Sequence, residues 1–191
     1  MNSQIDIYHP ETLNDWRKWL FENSSVKHAV WFVFYKKGCD IPSISWSDAV
    51  DEALCFGWID SKKIKIDDHK SHHYFSKRKS KGTWSKINKD KIEKLMLENR
   101  MTSQGLESVQ NAKKNGSWNL LDDVEALIIP TDLQIAFEKE PRAFEFYSAL
   151  SKTAKKNILL WMVMAKLPET RIKRISTIIE CALLNKKPPH M

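Results

Sequence analysis

The residues best equipped for chemistry lie between positions 57 and 88. Lys77 and Arg78 precede Trp84, Ser85, Lys86 and Asn88, which brings together cations, an indole face and a hydroxyl suited to capping a helix. A helix N-terminus offers free backbone N–H groups and the positive end of its dipole, so cations and an aromatic wall around it suit an anion. The same residues also admit a purely structural use, with Ser85 an ordinary cap, Trp84 a hydrophobic staple and the lysines solvated. Upstream, Gly57-Trp58-Ile59-Asp60 and then Lys62 stand where a helix stops and a strand begins. Trp58, Asp60 and Lys62 are candidates to meet a ligand there. The structural alternative has Gly57 supplying a left-handed helix end, Trp58 packed inside and Asp60 paired with Lys62. If the two segments meet in space, they make one anion pocket walled by Trp58 and Trp84.

Other constellations carry less. His69, His72 and His73 beside Asp67 and Asp68 have ligating atoms for a divalent ion. Adjacent strand residues point to opposite faces, however, and no His-x-x-x-His pair supports them, so neither a metal nor a cofactor is expected. Cys55 precedes Phe56 on the apolar side of an expected helix, a position that suits core packing better than nucleophilic attack. A P-loop, Gly-x-Gly-x-x-Gly, Gly-x-Ser-x-Gly and His-Glu-x-x-His are all missing, so the chain lacks the strong enzymatic motifs, while catalysis by dispersed residues stays open. Arg171, Lys173 and Arg174 read as solvated helix surface.

Periodicity predicts the helices and strands that carry these residues. Leu13, Trp16 and Leu20 fall at helical spacing behind Thr12 as cap, with Asp15 three residues on. Ala29 to Tyr35 is β-branched and aromatic, and predicts a central strand. Ser45 caps a helix through Leu54 that Gly57 ends; Trp58 to Ile66 and His72 to Lys77 form a basic hairpin around an Asp67-Asp68-His69-Lys70 turn. Helices are predicted over 88–99 and 104–114, the second stopped by Asn115-Gly116. After a turn-rich passage, Thr131-Asp132 is expected to cap the first of four helices over 132–138, 142–149, 153–165 and 169–185, with Pro141 and Pro168 in first turns.

Composition bounds the rest. The formal charge of +7 is uneven, since residues 61–91 hold eleven Lys and Arg against three Asp. Such clustering attracts phosphates, nucleic acid or another acidic surface, or simply keeps a face solvated. Three cysteines without motif spacing argue against a disulfide framework. The N-terminal ten residues carry no export pattern. The strongest apolar run, 157–167, falls well short of the roughly 20 residues a transmembrane helix needs. A cytoplasmic location is the expectation.

Three segments carry a resemblance. Asp51-Glu52-Ala53-Leu54-Cys55-Phe56-Gly57-Trp58-Ile59-Asp60, then Tyr74-Phe75-Ser76-Lys77-Arg78 with Trp84-Ser85-Lys86-Ile87-Asn88, and finally Ala165-Lys166-Leu167-Pro168-Glu169-Thr170-Arg171-Ile172-Lys173-Arg174-Ile175 resemble the YdeI/OmpD-associated, bacteriocin-protection family. The resemblance implies a link to resistance against bacteriocins or antimicrobial peptides, with no settled reaction. The expected fold is α+β and mainly α: a small antiparallel sheet with flanking helices over residues 1–118, then a C-terminal helical bundle over 130–187, the two packed as one body. The expected function is non-catalytic binding of an anionic small molecule or acidic partner surface through a basic, Trp-lined pocket. Single-stranded nucleic-acid binding, with bases stacked on aromatic residues, and an enzyme acting on a small anionic substrate stand as alternatives.

Overall fold

The computed structural model describes residues 5–36 and 38–189 of the 191, so residues 1–4 of the stretch read for an export signal lie outside it. The described residues divide between Trp118 and Asn119 into two compact units.

In the first unit, α1 (Leu13–Asn23) begins at a capping box. The Thr12 hydroxyl accepts from the Asp15 amide, and the Asp15 carboxylate accepts from the Thr12 amide at 2.9 Å. Its apolar stripe, Trp16, Trp19 and Leu20, is buried. Strand β2 (Ala29–Tyr35) follows, then α2 (Trp46–Cys55), capped by Ser45, and the hairpin β3 (Trp58–Lys65) and β4 (Lys70–Lys77). A short strand β1 (Ile7–Tyr8) lies parallel to β2, giving the order β1-β2-β4-β3. The sheet is therefore mixed, not antiparallel throughout as expected, because two residues are too few to show a strand period. β2 is internal, flanked by β1 and β4, as its two-sided burial requires.

One sheet face carries Val30, Phe32 and Phe34 from β2, with His73 and Phe75 opposite them on β4. Trp16 sets its ring edge-on to Phe32 at 5.0 Å and to Phe75 at 5.5 Å, and its indole N–H donates to the Ala49 carbonyl at 3.0 Å. Trp58 meets Trp19 at 5.8 Å, edge to face. Each such aromatic removes roughly 150–250 Å² from water, so α1 and α2 are held to the sheet chiefly by these rings.

Helices α3 (Lys86–Leu97) and α4 (Ser103–Lys114) complete the unit, capped by Ser85 and Thr102. Gly105 brings α4 onto the end of α2: a Cβ there would lie 2.2 Å from the Cys55 carbonyl oxygen. That carbonyl also accepts from the Thr102 hydroxyl at 2.7 Å. Beside it, Glu52 is 2% exposed and bonds both Arg17, at 2.7 Å, and Arg100. Burial, with Glu52's charge, pushes the Cys55 thiol up to about 11, so it stays protonated at neutral pH.

The second unit contains α5 (Asp122–Glu125), α6 (Thr131–Lys139), α7 (Pro141–Ala149), α8 (Lys152–Val163) and α9 (Pro168–Leu183). Leu133, Phe137, Ala143, Tyr147, Ile158, Leu159, Met162 and Ile178 form its core. Pro141 and Pro168 occupy first-turn positions as expected. Two expectations fail. Thr131 is the first residue of α6 and not its cap, which is Pro130, without a side-chain bond. Arg171 and Arg174 are not solvated surface. Arg171 clasps the Asp132 carboxylate, with Nη2 to Oδ1 at 2.9 Å, and also donates to the Met162 carbonyl; Arg174 donates to the Trp161 carbonyl and lies over the Trp161 ring. A guanidinium's five donors suit it to bind several carbonyl and carboxylate groups at once. No helix among the described residues is long and apolar enough to cross a membrane.

Candidate functional site

A cavity of about 440 Å³ opens where the hairpin's free end meets α4. Gly57 is the pivot. Its φ of +71° ends α2 and turns the chain into β3, a conformation costly for residues with a Cβ, and its carbonyl accepts the Arg78 amide at 2.9 Å. Arg78 thereby leaves β4 directed at Trp84. Its guanidinium lies 3.6 Å from the Trp84 ring centroid, and Nη2 donates to the Thr83 carbonyl at 2.6 Å. Nε and Nη1 are buried without a hydrogen-bond partner. This burial lowers the guanidinium pKa to about 10, with the Asp60 charge acting the other way.

Lys77 donates to the Ser25 carbonyl at 2.8 Å along the same wall. Ser24 closes the floor, its hydroxyl donating to Gln104 Oε1 at 2.7 Å. The far wall is a stripe of α4, Gln104, Glu107, Ser108 and Asn111. Lys77, Arg78 and Lys79 thus face one carboxylate, that of the exposed Glu107. The cavity can accept an anion of modest size, with hydroxyls and amides to bond it and a guanidinium whose Nε and Nη1 lack acceptors.

The structure divides the residues singled out in the sequence. Lys77, Arg78 and Trp84 line this cavity together. Trp84 is 2% exposed, fixed between Arg78 and Trp118, whose ring is 4.9 Å away. Trp58 is fully buried in the core, its indole nitrogen without a partner, so it is not a wall of the pocket. Ser85 caps α3 by accepting from the Asn88 amide at 3.3 Å, and Lys86 reaches Asp90 at 2.9 Å; none of the three lines the cavity. Asp60 and Lys62 line a different cavity farther along the hairpin. Asp60 bonds the Trp46 indole N–H at 2.9 Å and does not pair with Lys62. The α4 stripe is not among the residues the sequence singles out, although positions 104, 107, 108 and 111 are all polar and share one helix face. Among the described residues no three His, Cys, Asp or Glu side chains are gathered to hold a metal ion.

Fold and site together define a mainly helical α+β protein with a small mixed sheet and a cationic cavity at one end of a hairpin. Residues 8–108 match the family described as a domain of unknown function, DUF8412, and residues 126–185 match the family described as bacteriocin-protection, YdeI or OmpD-associated. The chain belongs to the first family through more than half its length and carries a YdeI/OmpD-associated domain behind it. Of the three resembling segments, the one at 165–175 lies within the YdeI/OmpD-associated match; those at 51–60 and 74–88 lie within the other. No curated protein and no solved structure matches the chain.

Proposed function

We propose that this is a non-catalytic, cytoplasmic binding protein that takes a small phosphorylated or carboxylated molecule into the cavity between Arg78 and α4. The observation that carries the reading is Arg78, whose buried Nε and Nη1 have no acceptor. A buried donor without an acceptor costs roughly 1–3 kcal/mol, and more when charged, so a ligand that supplies the acceptor recovers that cost on binding. The family description connects the C-terminal domain with protection against bacteriocins, and ligand capture in such a response is the role we assign. Trp84 supports a small anion over an oligonucleotide, since its enclosed ring offers no face for a base to stack on.

The test is thermal unfolding against phosphate, nucleotides, sugar phosphates, dicarboxylates and short oligonucleotides at two salt concentrations. One anion at 100 times its Kd should add about 2.7 kcal/mol, with little salt dependence compared with a surface site. The Lys77→Glu, Arg78→Glu double variant should lose the response, and Arg78→Met, which keeps an apolar stem over Trp84, should lose it while still folding. An unchanged response in either variant, or none across the panel in the natural protein, would sink the proposal.

A further inference from the structure

The second cavity, of about 750 Å³, lies toward the turn end of the hairpin and shares no lining residue with the first. Its floor is the part of the sheet face left beyond the aromatic core, Phe34 on β2 with Ser71 and His73 on β4. His73 is 9% exposed and sets its ring edge-on to Phe34 at 4.6 Å, and its ring nitrogens bond no described residue. Desolvation lowers its pKa, aided by Lys63, so the ring is neutral at pH 7 and offers one donor and one acceptor nitrogen. Ile44 and the indole of Trp46 form the opposite wall, and Asp60 holds Trp46 in place through its indole N–H.

A β-bulge decides which lysine of β3 faces His73. Asp60 pairs with Phe75 but Lys63, not Lys62, pairs with His73. One extra residue on β3 therefore turns Lys63 onto the face that carries His73 and Phe34, where regular alternation would have pointed it away. Lys62, Lys63 and Lys36 surround the mouth, against Asp60. Neither Lys62 nor Lys63 forms an ion pair with a described residue.

We infer that this cavity is a second binding site, for a flat aromatic or heteroaromatic molecule that carries a negative charge. Phe34, Trp46 and the His73 ring supply flat apolar walls, His73 supplies a hydrogen bond in the floor, and the bulged lysines hold the charged group at the mouth. The volume lies within the roughly 300–1,000 Å³ usual for small-molecule sites. The inference does not depend on the Arg78 cavity.

The experiment is an NMR titration of the labelled chain with 2-naphthoate and, separately, with the uncharged 2-naphthamide. The reporters are the Trp46 indole N–H, the His73 ring and, for the other cavity, the Arg78 Nε–H. Saturable shifts at Trp46 and His73 with 2-naphthoate are expected, with roughly tenfold weaker binding of the amide and of 2-naphthoate to Lys63→Glu. Lys63 is on an exposed strand segment, so the substitution leaves the core intact; Trp46→Ala, which removes a wall, should weaken binding independently. Equal affinity for acid and amide, no effect of either variant, or shifts at Arg78 alone would each overturn the assignment.

Discussion

Replacing Arg78 with Met separates the stability of the empty protein from its capacity to bind. The guanidinium is charged in both the folded and unfolded chain at pH 7. Its folded pKa of about 10 lies below the ordinary arginine value, and at 1.36 kcal/mol per pH unit the difference amounts to about 3 kcal/mol against folding. The sign follows from the direction: the cost is complete below pH 10 and is relieved only as pH rises through that value. Set against it are the stacking on Trp84 at 3.6 Å, worth about 1 kcal/mol, and the bond to Thr83, worth about 1 kcal/mol. Methionine keeps an apolar stem over the ring and removes the two donors without acceptors. Arg78→Met is therefore expected to be about 1 kcal/mol more stable in anion-free buffer, a rise of about 2–4 °C in Tm. With phosphate or the best anion of the panel the order should reverse, because only the natural protein gains from the ligand. Thermal unfolding followed by tryptophan fluorescence, with and without the anion, measures both. A loss of 2 kcal/mol or more in anion-free buffer would instead make the stacked guanidinium a structural strut and rule out a net cost of burying it.

Gly105→Ala, which on an exposed helix would add about 1 kcal/mol, should instead cost about 2–4 kcal/mol here, because the new Cβ would press the Cys55 carbonyl; urea midpoints decide, and a gain in stability would contradict the close approach of α4 to α2. Glu52→Ala leaves Arg17 and Arg100 facing each other without their shared carboxylate and should cost about 3–5 kcal/mol by the same measurement; a change inside experimental error would mean that water replaces the carboxylate. Hydrogen bonds from Arg171 hold the Asp132 carboxyl below the ordinary carboxylate range. Its stabilising contribution is thus complete above the unfolded value and fades as pH falls through the folded one. The deficit of Arg171→Ala, read from unfolding midpoints between pH 3 and 7, should be largest near neutrality and shrink below about pH 4; a pH-independent deficit would assign it to the Met162 carbonyl bond instead.

Much of this protein was legible in its sequence wherever a local rule acts alone. Thr12, Ser45 and Ser85 announce the helices they cap, since a side-chain oxygen at that position satisfies an amide the helix leaves free. Gly57 marks the end of α2 because its positive φ disfavours any Cβ. The run of Ala29 to Tyr35, apolar on both faces, marks an internal strand. The cluster of cations around Trp84 pointed to the first cavity for a similarly local reason, as Arg78 and Trp84 are six residues apart and meet within one turn of chain.

Contacts between distant elements set the rest. Nothing local distinguishes Trp58 from Trp84 as a pocket wall; Trp19, brought in from α1, takes Trp58 into the core. The α4 stripe became one wall of the cavity only because Gly105 lets that helix lie against α2. Lys63 reached the His73 face through a bulge that the sequence shows only as imperfect alternation. Arg171 and Arg174 are tied down because carbonyls of α8 and the carboxylate of Asp132 come within reach when the helices pack. Caps, turns and strand patterns are set by neighbours a few residues away. Pocket walls and the partners of long cationic side chains depend on which elements come to lie together, and that choice belongs to the buried aromatic core as a whole.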